Sequence, residues 1–561
     1  MVELMLMTYD VLIKGGLIVD GTGNPWFKGD VAIKNGRIVD IGKIRGENVE
    51  RTIDARGMVV SPGFIDIHTH SEVSLLVNPR AESTVRQGVT TVCVGNCGLS
   101  PYPVNESTKD ELCRYLSSFY PLREIDWRST RDFLEKLERQ GVSCNVAALV
   151  GHGSIRIAVM GFEDREPTAS ELREMKDLVS EAMDEGAFGM STGLGYAPGF
   201  FSKTDELIEL AKVVSKKGGF YATHTRSIGV TYEEGVAEAI TIGREARIPV
   251  QISHIESHYP NWGRTKAVLK MIDEARAQGI DVTCDIPPYL YNLTVITTLL
   301  PRWVQEGGLT KLIDRLKDRS IREEVKREIL KETDKRRSNT MTALAIDGYW
   351  SKIRLASGDR NPQLIGLSIA EIAEKWNVSP YDAVFDLLIE EGKQLFIIGE
   401  THYEEDMRLV LKHPTSMVET DERARAPYGP LAKGRPHPRA YGTFPLLFRK
   451  YVRGETRPEL PEERGYKLLT LEEAVKKVTS LPAQRLGLQD RGVIRKGMYA
   501  DITVFDPIKV ADRATYKEPH LYPVGIRYVL VNGEIVVEDG EHTGNLPGTV
   551  LKGPSYREND R

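Results

Sequence analysis

From Tyr9 to about Ile53 apolar and polar residues alternate with the two-residue period of half-buried strands, and glycines mark the turns. Val11-Leu12-Ile13, Leu17-Ile18-Val19, Val31-Ala32-Ile33 and Arg37-Ile38-Val39-Asp40-Ile41 carry the pattern, with Asn35-Gly36 as a hairpin signal between the last two. It returns at Gly492-Val493-Ile494, Ala500-Asp501-Ile502-Thr503-Val504-Phe505 and Val529-Leu530-Val531, where Asn532-Gly533 precedes Glu534-Ile535-Val536-Val537. The two ends of the chain therefore predict one small β-sandwich, built from residues 1–57 and 481–561.

Between them, short apolar runs alternate with helical periods, the signature of a parallel barrel. Eight runs are legible: Met58–Ile67, Thr90–Cys97, Asn145–His152, Ala187–Thr192, Phe220–His224, Pro249–His254, Asp281–Asp285 and Thr415–Asp421. Helices are expected over Thr168–Glu185, where Thr168 and Glu171 form a capping box, and over Thr204–Lys217, Tyr232–Ala246 and Thr265–Gln278. The predicted fold is α/β, a (β/α)8 TIM barrel over residues 58–480. The interval from about 300 to 413, between strands 7 and 8, is rich in Lys, Arg and Glu and reads as a helical insertion. It either caps the barrel mouth or decorates the surface as solvated helices.

Composition narrows the functional classes. The formal charge of -5 arises from 75 basic and 80 acidic residues mixed along 561 positions, which argues against nucleic-acid and membrane-surface partners. No run is long and apolar enough for a membrane span, and Met1-Val2-Glu3 lacks a signal peptide's basic start, so no export is expected. Five scattered cysteines argue against a disulfide framework and for a reducing cytoplasm.

Candidate chemistry gathers at the strand ends. His68 and His70, spaced two apart after an apolar run, leave it on one face. Cys97, His224, His254 and Asp421 close four other runs. Each alone reads as readily as a buried or solvated side chain. A barrel, however, brings all its strand ends around one mouth, where these six can meet. Thiolate, imidazole and carboxylate together suit Zn²⁺ better than Mg²⁺ or Ca²⁺. Zinc lowers the pKa of a bound water to about 7 and polarises a carbonyl, as amide hydrolysis near neutrality requires. Asp421 is the carboxylate of the set and the expected proton shuttle. His152, after strand three, is expected to donate to a developing oxyanion or to stand behind the metal ligands. His258, His402, His413, His520 and His542 are read as surface residues, and Cys93, Cys113, Cys144 and Cys284 as buried thiols.

Several segments together resemble the amidohydrolase superfamily and, within it, the D-aminoacylase (N-acyl-D-amino-acid deacylase) family. They are PGFIDIHTH (62–70), GVTTVCVGNCG (88–98), GMSTGLGYAPG (189–199), YATHTR (221–226), QISHIES (251–257), HPRAYGTFP (437–445) and GVIRKGMYADITVFDP (492–507). The resemblance implies a tight zinc site of Cys97, His224 and His254. It implies a second, weaker site of His68, His70, Cys97 and Asp421. Strand four carries Gly189-Met190-Ser191-Thr192, with no lysine to bridge two metals, which agrees with bridging by Cys97. Two positions depart from the family: Glu256 and Pro287 stand where it carries a lysine and a tyrosine that bind the substrate carboxylate. Either Glu256 faces the substrate and selects an ammonium group, as in a dipeptide, or it points away and Arg226, Tyr289, Arg423 or Arg439 binds the carboxylate.

The expected activity is zinc-dependent hydrolysis of a linear amide, foremost the deacylation of N-acyl-D-amino acids. A dipeptidase, D-aminopeptidase or cyclic-amide hydrolase on the same scaffold is the alternative. A non-catalytic binding protein would have lost ligands, and none of the six is missing. The expected partner is a small-molecule amide or dipeptide, for a monomer or a homo-oligomer.

Overall fold

The computed structural model describes residues 9–45, 48–122, 124–255, 257–331, 340–460 and 462–558. Its centre is an all-parallel sheet of eight strands: β1 (Phe64–Asp66), β2 (Val89–Val94), β3 (Asn145–Gly151), β4 (Gly189–Gly193), β5 (Phe220–His224), β6 (Val250–Ile252), β7 (Val282–Ile286) and β8 (Ser416–Val418). Each strand pairs with its neighbour in sequence. The ring closes just beyond the strand ends, where Asp421 N–H donates to the His68 carbonyl and His70 N–H to that of Glu422, both at 3.0 Å. Closure therefore runs through the candidate metal ligands themselves.

Both faces of these strands are apolar, as a barrel jacketed by helices requires. Cys93, Ala147, Leu149, Phe220, Ala222 and Met417 share one cluster with Ile65 and Ile67. Their immediate neighbours Val92, Val94, Val146, Ala148, Val150 and Tyr221 belong to the larger cluster that the surrounding helices complete. The Thr168–Glu171 capping box is present, opening the helix Ala169–Asp184. The helix Ser480–Leu486 places Ala483 and Leu486 in the cluster with Ile65 and Met417.

The apolar run Met58–Ile67 is not one strand. Val59–Pro62 pairs in parallel with Leu17-Ile18 and antiparallel with Ile502–Phe505, so it belongs to the terminal sheet. The chain then crosses at Gly63, where a Cβ would lie 2.2 Å from Thr90 Oγ1, and enters the barrel as β1. Unbroken hydrophobicity hid the change of sheet, because both segments are buried. The termini do pair as expected, in one nine-stranded sheet whose shared core includes Val11, Ile33, Ile53, Ile502, Val504 and Leu530. The tail then returns to the barrel, bridging Val142 with Pro547 and Val146 with Val550.

The insertion also differs from its expected helical character. It opens with Tyr291–Val295, which pairs with Phe396–Glu400, and this pairs with Ile353–Leu355 in a three-stranded antiparallel sheet. Helices including Gly308–Leu316, Ile369–Trp376 and Pro380–Glu391 cover it, around a separate core of Ile296, Leu344, Phe385, Leu388 and Ile397. The helix Glu404–Lys412, assigned to the insertion from sequence, instead packs on the barrel, with Met407, Val410 and Leu411 in the barrel's cluster. Among the described residues no helix is long and apolar enough to cross a membrane.

Candidate metal centre and active site

All six predicted ligands converge at the mouth. The Cys97 thiol lies 3.2 Å from His68 Nε2 and 3.7 Å from His254 Nε2, and His224 Nδ1 lies 2.9 Å from His254 Nε2. On the other side of Cys97, Asp421 Oδ1 is 3.1 Å from His70 Nε2 and 3.5 Å from His68 Nε2. Two donor sets result, Cys97–His224–His254 and His68–His70–Cys97–Asp421, and the donor atoms within each lie within 4.8 Å of one another. Cys97 belongs to both. Tetrahedral zinc with ordinary Zn–S and Zn–N bonds separates sulfur from nitrogen by roughly 3.5 Å. The observed spacing and the soft donors both fit that ion.

The backbone is bent to achieve this. Cys97 (φ 51°), His254 (φ 38°) and Asp421 (φ 42°) all occupy the left-handed region. Non-glycine residues enter it at a cost of about 1–2 kcal/mol each, and such strain collects where function over-determines the conformation. Gly95 (φ 82°), two before Cys97, makes the turn possible: a Cβ there would lie 2.2 Å from the Leu149 carbonyl oxygen.

Electrostatics match a metal site. Burial opposes ionisation of Cys97, but the His68 charge and hydrogen bonds from His224, His254 and His68 hold the thiol well below its usual value. Burial likewise opposes ionisation of Asp421, and the Arg439 guanidinium, 2.8 Å away, with the His70 contact, holds it well below the carboxylate range. Burial and the neighbouring His254 lower His224, which keeps it a neutral donor.

The mouth opens into a cavity of about 650 Å³, large enough for a small acylated molecule. Asn292, Thr294, Gln394 and Phe396 of the insertion line it beside His70, His224, His254 and Asp421. Of the two readings of the insertion, the structure bears out the cap.

The remaining predicted residues divide. Arg423 and Arg439 line the cavity, buried at 7% and 3% exposure. Arg226 does not line it; its guanidinium grips Glu238 through two contacts of 2.9 Å. Tyr289 also lies outside the lining, with its ring set edge-on to His437 at 5.0 Å. His152 is displaced from the role expected of it: it is fully buried and 2.7 Å from Glu206, which also pairs with Arg156. A strand-end position alone could not show that His152 turns away into this network. Glu256 lies outside the described residues.

Sequence reasoning missed Asp285, Glu419, His258 and His402. Asp285 is the penultimate residue of β7, as Asp421 follows β8, so the same strand-end rule would have found it. It accepts from His254 N–H and Gln251 Nε2, both at 2.6 Å, and lies 3.5 Å from His68 Nδ1. Glu419 stands beside it, with neither oxygen meeting a hydrogen-bond partner among the described residues, and burial pushes its carboxyl well above the usual range. His258 and His402, read as surface residues, are buried on the cavity wall with ring centroids 4.2 Å apart. His413 is buried too, while His520 and His542 are half-buried. Of the thiols, Cys113 is only half-buried, and none of the five cysteines is in a disulfide.

A (β/α)8 barrel whose mouth gathers a cysteine, four histidines and an aspartate is the architecture of a metal-dependent hydrolase. The amidohydrolase family model matches residues 51–286 and 435–537. The chain is 34% identical to N-acyl-D-glutamate deacylase of Alcaligenes xylosoxydans xylosoxydans, over 97% of this chain and 96% of that protein. It is 33% identical to D-aminoacylase of the same organism, over 97% of each. The crystal structure of N-acyl-D-glutamate deacylase from Bordetella bronchiseptica, with zinc and a phosphonate mimic of the tetrahedral intermediate, matches with a TM-score of 0.80. That match has 32% identity and covers 97% of this chain and all of the other. The chain therefore belongs to the amidohydrolase family, in the branch that holds the N-acyl-D-amino-acid deacylases.

Proposed function

We propose that this protein removes the acyl group from N-acyl-D-amino acids with the help of zinc. The observation that carries the reading is the intact six-residue donor set at the base of a cavity that suits a small amide. Cys97, His224 and His254 would hold the tight zinc; His68, His70, Cys97 and Asp421 would form the weaker site. Zinc held there supplies a Lewis acid for the acyl carbonyl and acidifies the attacking water. Asp421, held ionised by Arg439 and His70, would take the proton from the attacking water and return it to the leaving nitrogen. Arg439 holds the substrate's α-carboxylate while touching Asp421, which ties recognition to the proton shuttle. The capping insertion shields the reacting bond from bulk water. Five cysteines outside any disulfide support a reducing, cytoplasmic setting.

The test is primary-amine release by zinc-supplemented protein from N-acetyl-D-amino acids, N-acetyl-L-amino acids and dipeptides of either configuration. Turnover confined to N-acyl-D substrates is expected. Turnover of dipeptides with the N-acyl compounds inert would refute the deacylase reading and make the protein a peptidase.

A further inference from the structure

Relatives of almost equal similarity to this chain carry different names, N-acyl-D-glutamate deacylase, D-aminoacylase and N-acyl-D-aspartate deacylase. Identity does not choose between a neutral and an acidic substrate. The cavity wall bears on the choice.

Two buried guanidiniums line the cavity. Arg439, 2.8 Å from Asp421, is the one assigned above to the α-carboxylate. Arg423 is differently placed. Its guanidinium lies 4.6 Å from the ring centroid of Phe396, on the insertion's sheet, and 5.5 Å from that of Tyr120. Aromatic faces on both elements therefore hold it in position. Its protein counter-ion is Glu422, at a loose 3.4 Å, and the same carboxylate oxygen also faces Arg425 at 3.3 Å. Arg423 Nε has no hydrogen-bond partner among the described residues. Glu72, which accepts from the Tyr120 hydroxyl at 2.6 Å, is a further buried carboxyl near Arg423. Three guanidiniums, those of Arg423, Arg425 and Arg439, thus share two carboxylates, those of Asp421 and Glu422.

A buried guanidinium, immobilised between aromatic rings and only loosely paired, is a poor cavity wall for an aliphatic side chain. A weakly paired buried cation is unfavourable, and a hydrogen bond to an ionised carboxylate offsets that cost. We propose that Arg423 binds a second carboxylate of the substrate, so that the preferred substrates are N-acyl-D-amino acids bearing two carboxylates. This rests on the deacylase reading above. The second carboxylate belongs either to the amino-acid side chain or to the acyl group.

The experiment compares kcat/KM of the zinc-loaded full chain within two pairs. N-acetyl-D-glutamate against N-acetyl-D-glutamine varies the side chain, and N-succinyl-D-leucine against N-acetyl-D-leucine varies the acyl group. The wild type is expected to favour the dicarboxylate of one pair at least tenfold, chiefly through KM; that pair identifies the source. Arg423→Met should lower this preference tenfold or more, and Arg423→Lys should restore part of it. A wild type that prefers the neutral member of both pairs, or a preference unchanged in Arg423→Met, would overturn the proposal while leaving the deacylase reading intact. Failure to hydrolyse any of the four compounds would instead overturn the deacylase reading, and this proposal with it.

Discussion

Replacing Asp421 by asparagine isolates its charge from its shape. Asn is the right substitute because position 421 has φ 42°, a conformation that Asn tolerates and most other residues do not. The amide can still meet His70, now 3.1 Å from Oδ1, and its carbonyl can still accept from Arg439, now 2.8 Å from Oδ2. It cannot take a proton. Losing a positioned general base lowers turnover by about 10²–10⁴-fold, equivalent to roughly 3–5 kcal/mol of barrier. Breaking a buried ion pair by removing one partner costs on the order of 3–5 kcal/mol of stability. The remaining Arg439 hydrogen bond should keep the loss below that figure. Zinc should stay near one equivalent, because Cys97, His224 and His254 are untouched, whereas Cys97→Ala removes the donor common to both sets and should strip it. Metal content by mass spectrometry, turnover on the best N-acyl-D substrate and urea denaturation would be measured on the same preparations. Turnover within tenfold of wild type would remove Asp421 from proton transfer. Loss of all zinc from Asp421→Asn would refute the division into a tight and a weaker site.

Two further predictions concern the scaffold. Gly95→Ala combines a left-handed backbone with a Cβ 2.2 Å from the Leu149 carbonyl oxygen, so it should destabilise by several kcal/mol and fail to hold zinc; a soluble variant with wild-type metal content would refute the turn as the reason for glycine. His542 is lowered to about 4, by burial first and by Arg80 next, and its Nδ1 accepts the Gly544 N–H at 2.8 Å. The unfolded chain therefore binds this proton more readily than the folded one. The stability this neutral ring contributes should be intact above about pH 6.5 and be lost progressively as pH falls towards 4. Urea titrations of wild type and His542→Asn across that window should show a shallower acid slope in the variant, and identical slopes would count against the assignment.

The eight barrel strands and the six candidate metal ligands that meet at the mouth were legible because each rests on a local pattern. A strand buried on both faces is mostly apolar, and a metal-capable residue at its end stands out against that run. His224 and His254 could be named from five or six residues apiece. The terminal strands were legible for the same reason, through alternation and Asn-Gly turns.

What remained hidden depends on pairings between distant residues. Whether Val59–Pro62 joins β1 or the terminal sheet is decided by its contacts with Ile18 and Val504, not by its own hydrophobicity. The insertion's sheet forms because Tyr291–Val295 meets Phe396–Glu400 across about a hundred residues, and the charged helices between them conceal it. Side-chain direction was least accessible of all. Arg226, Tyr289, Arg423 and Arg439 were all candidates for the substrate carboxylate, and only packing showed that Arg226 turns to Glu238 while Arg423 and Arg439 line the cavity. Residue type determines what a side chain can bind, whereas the neighbours that bury it determine which way it points.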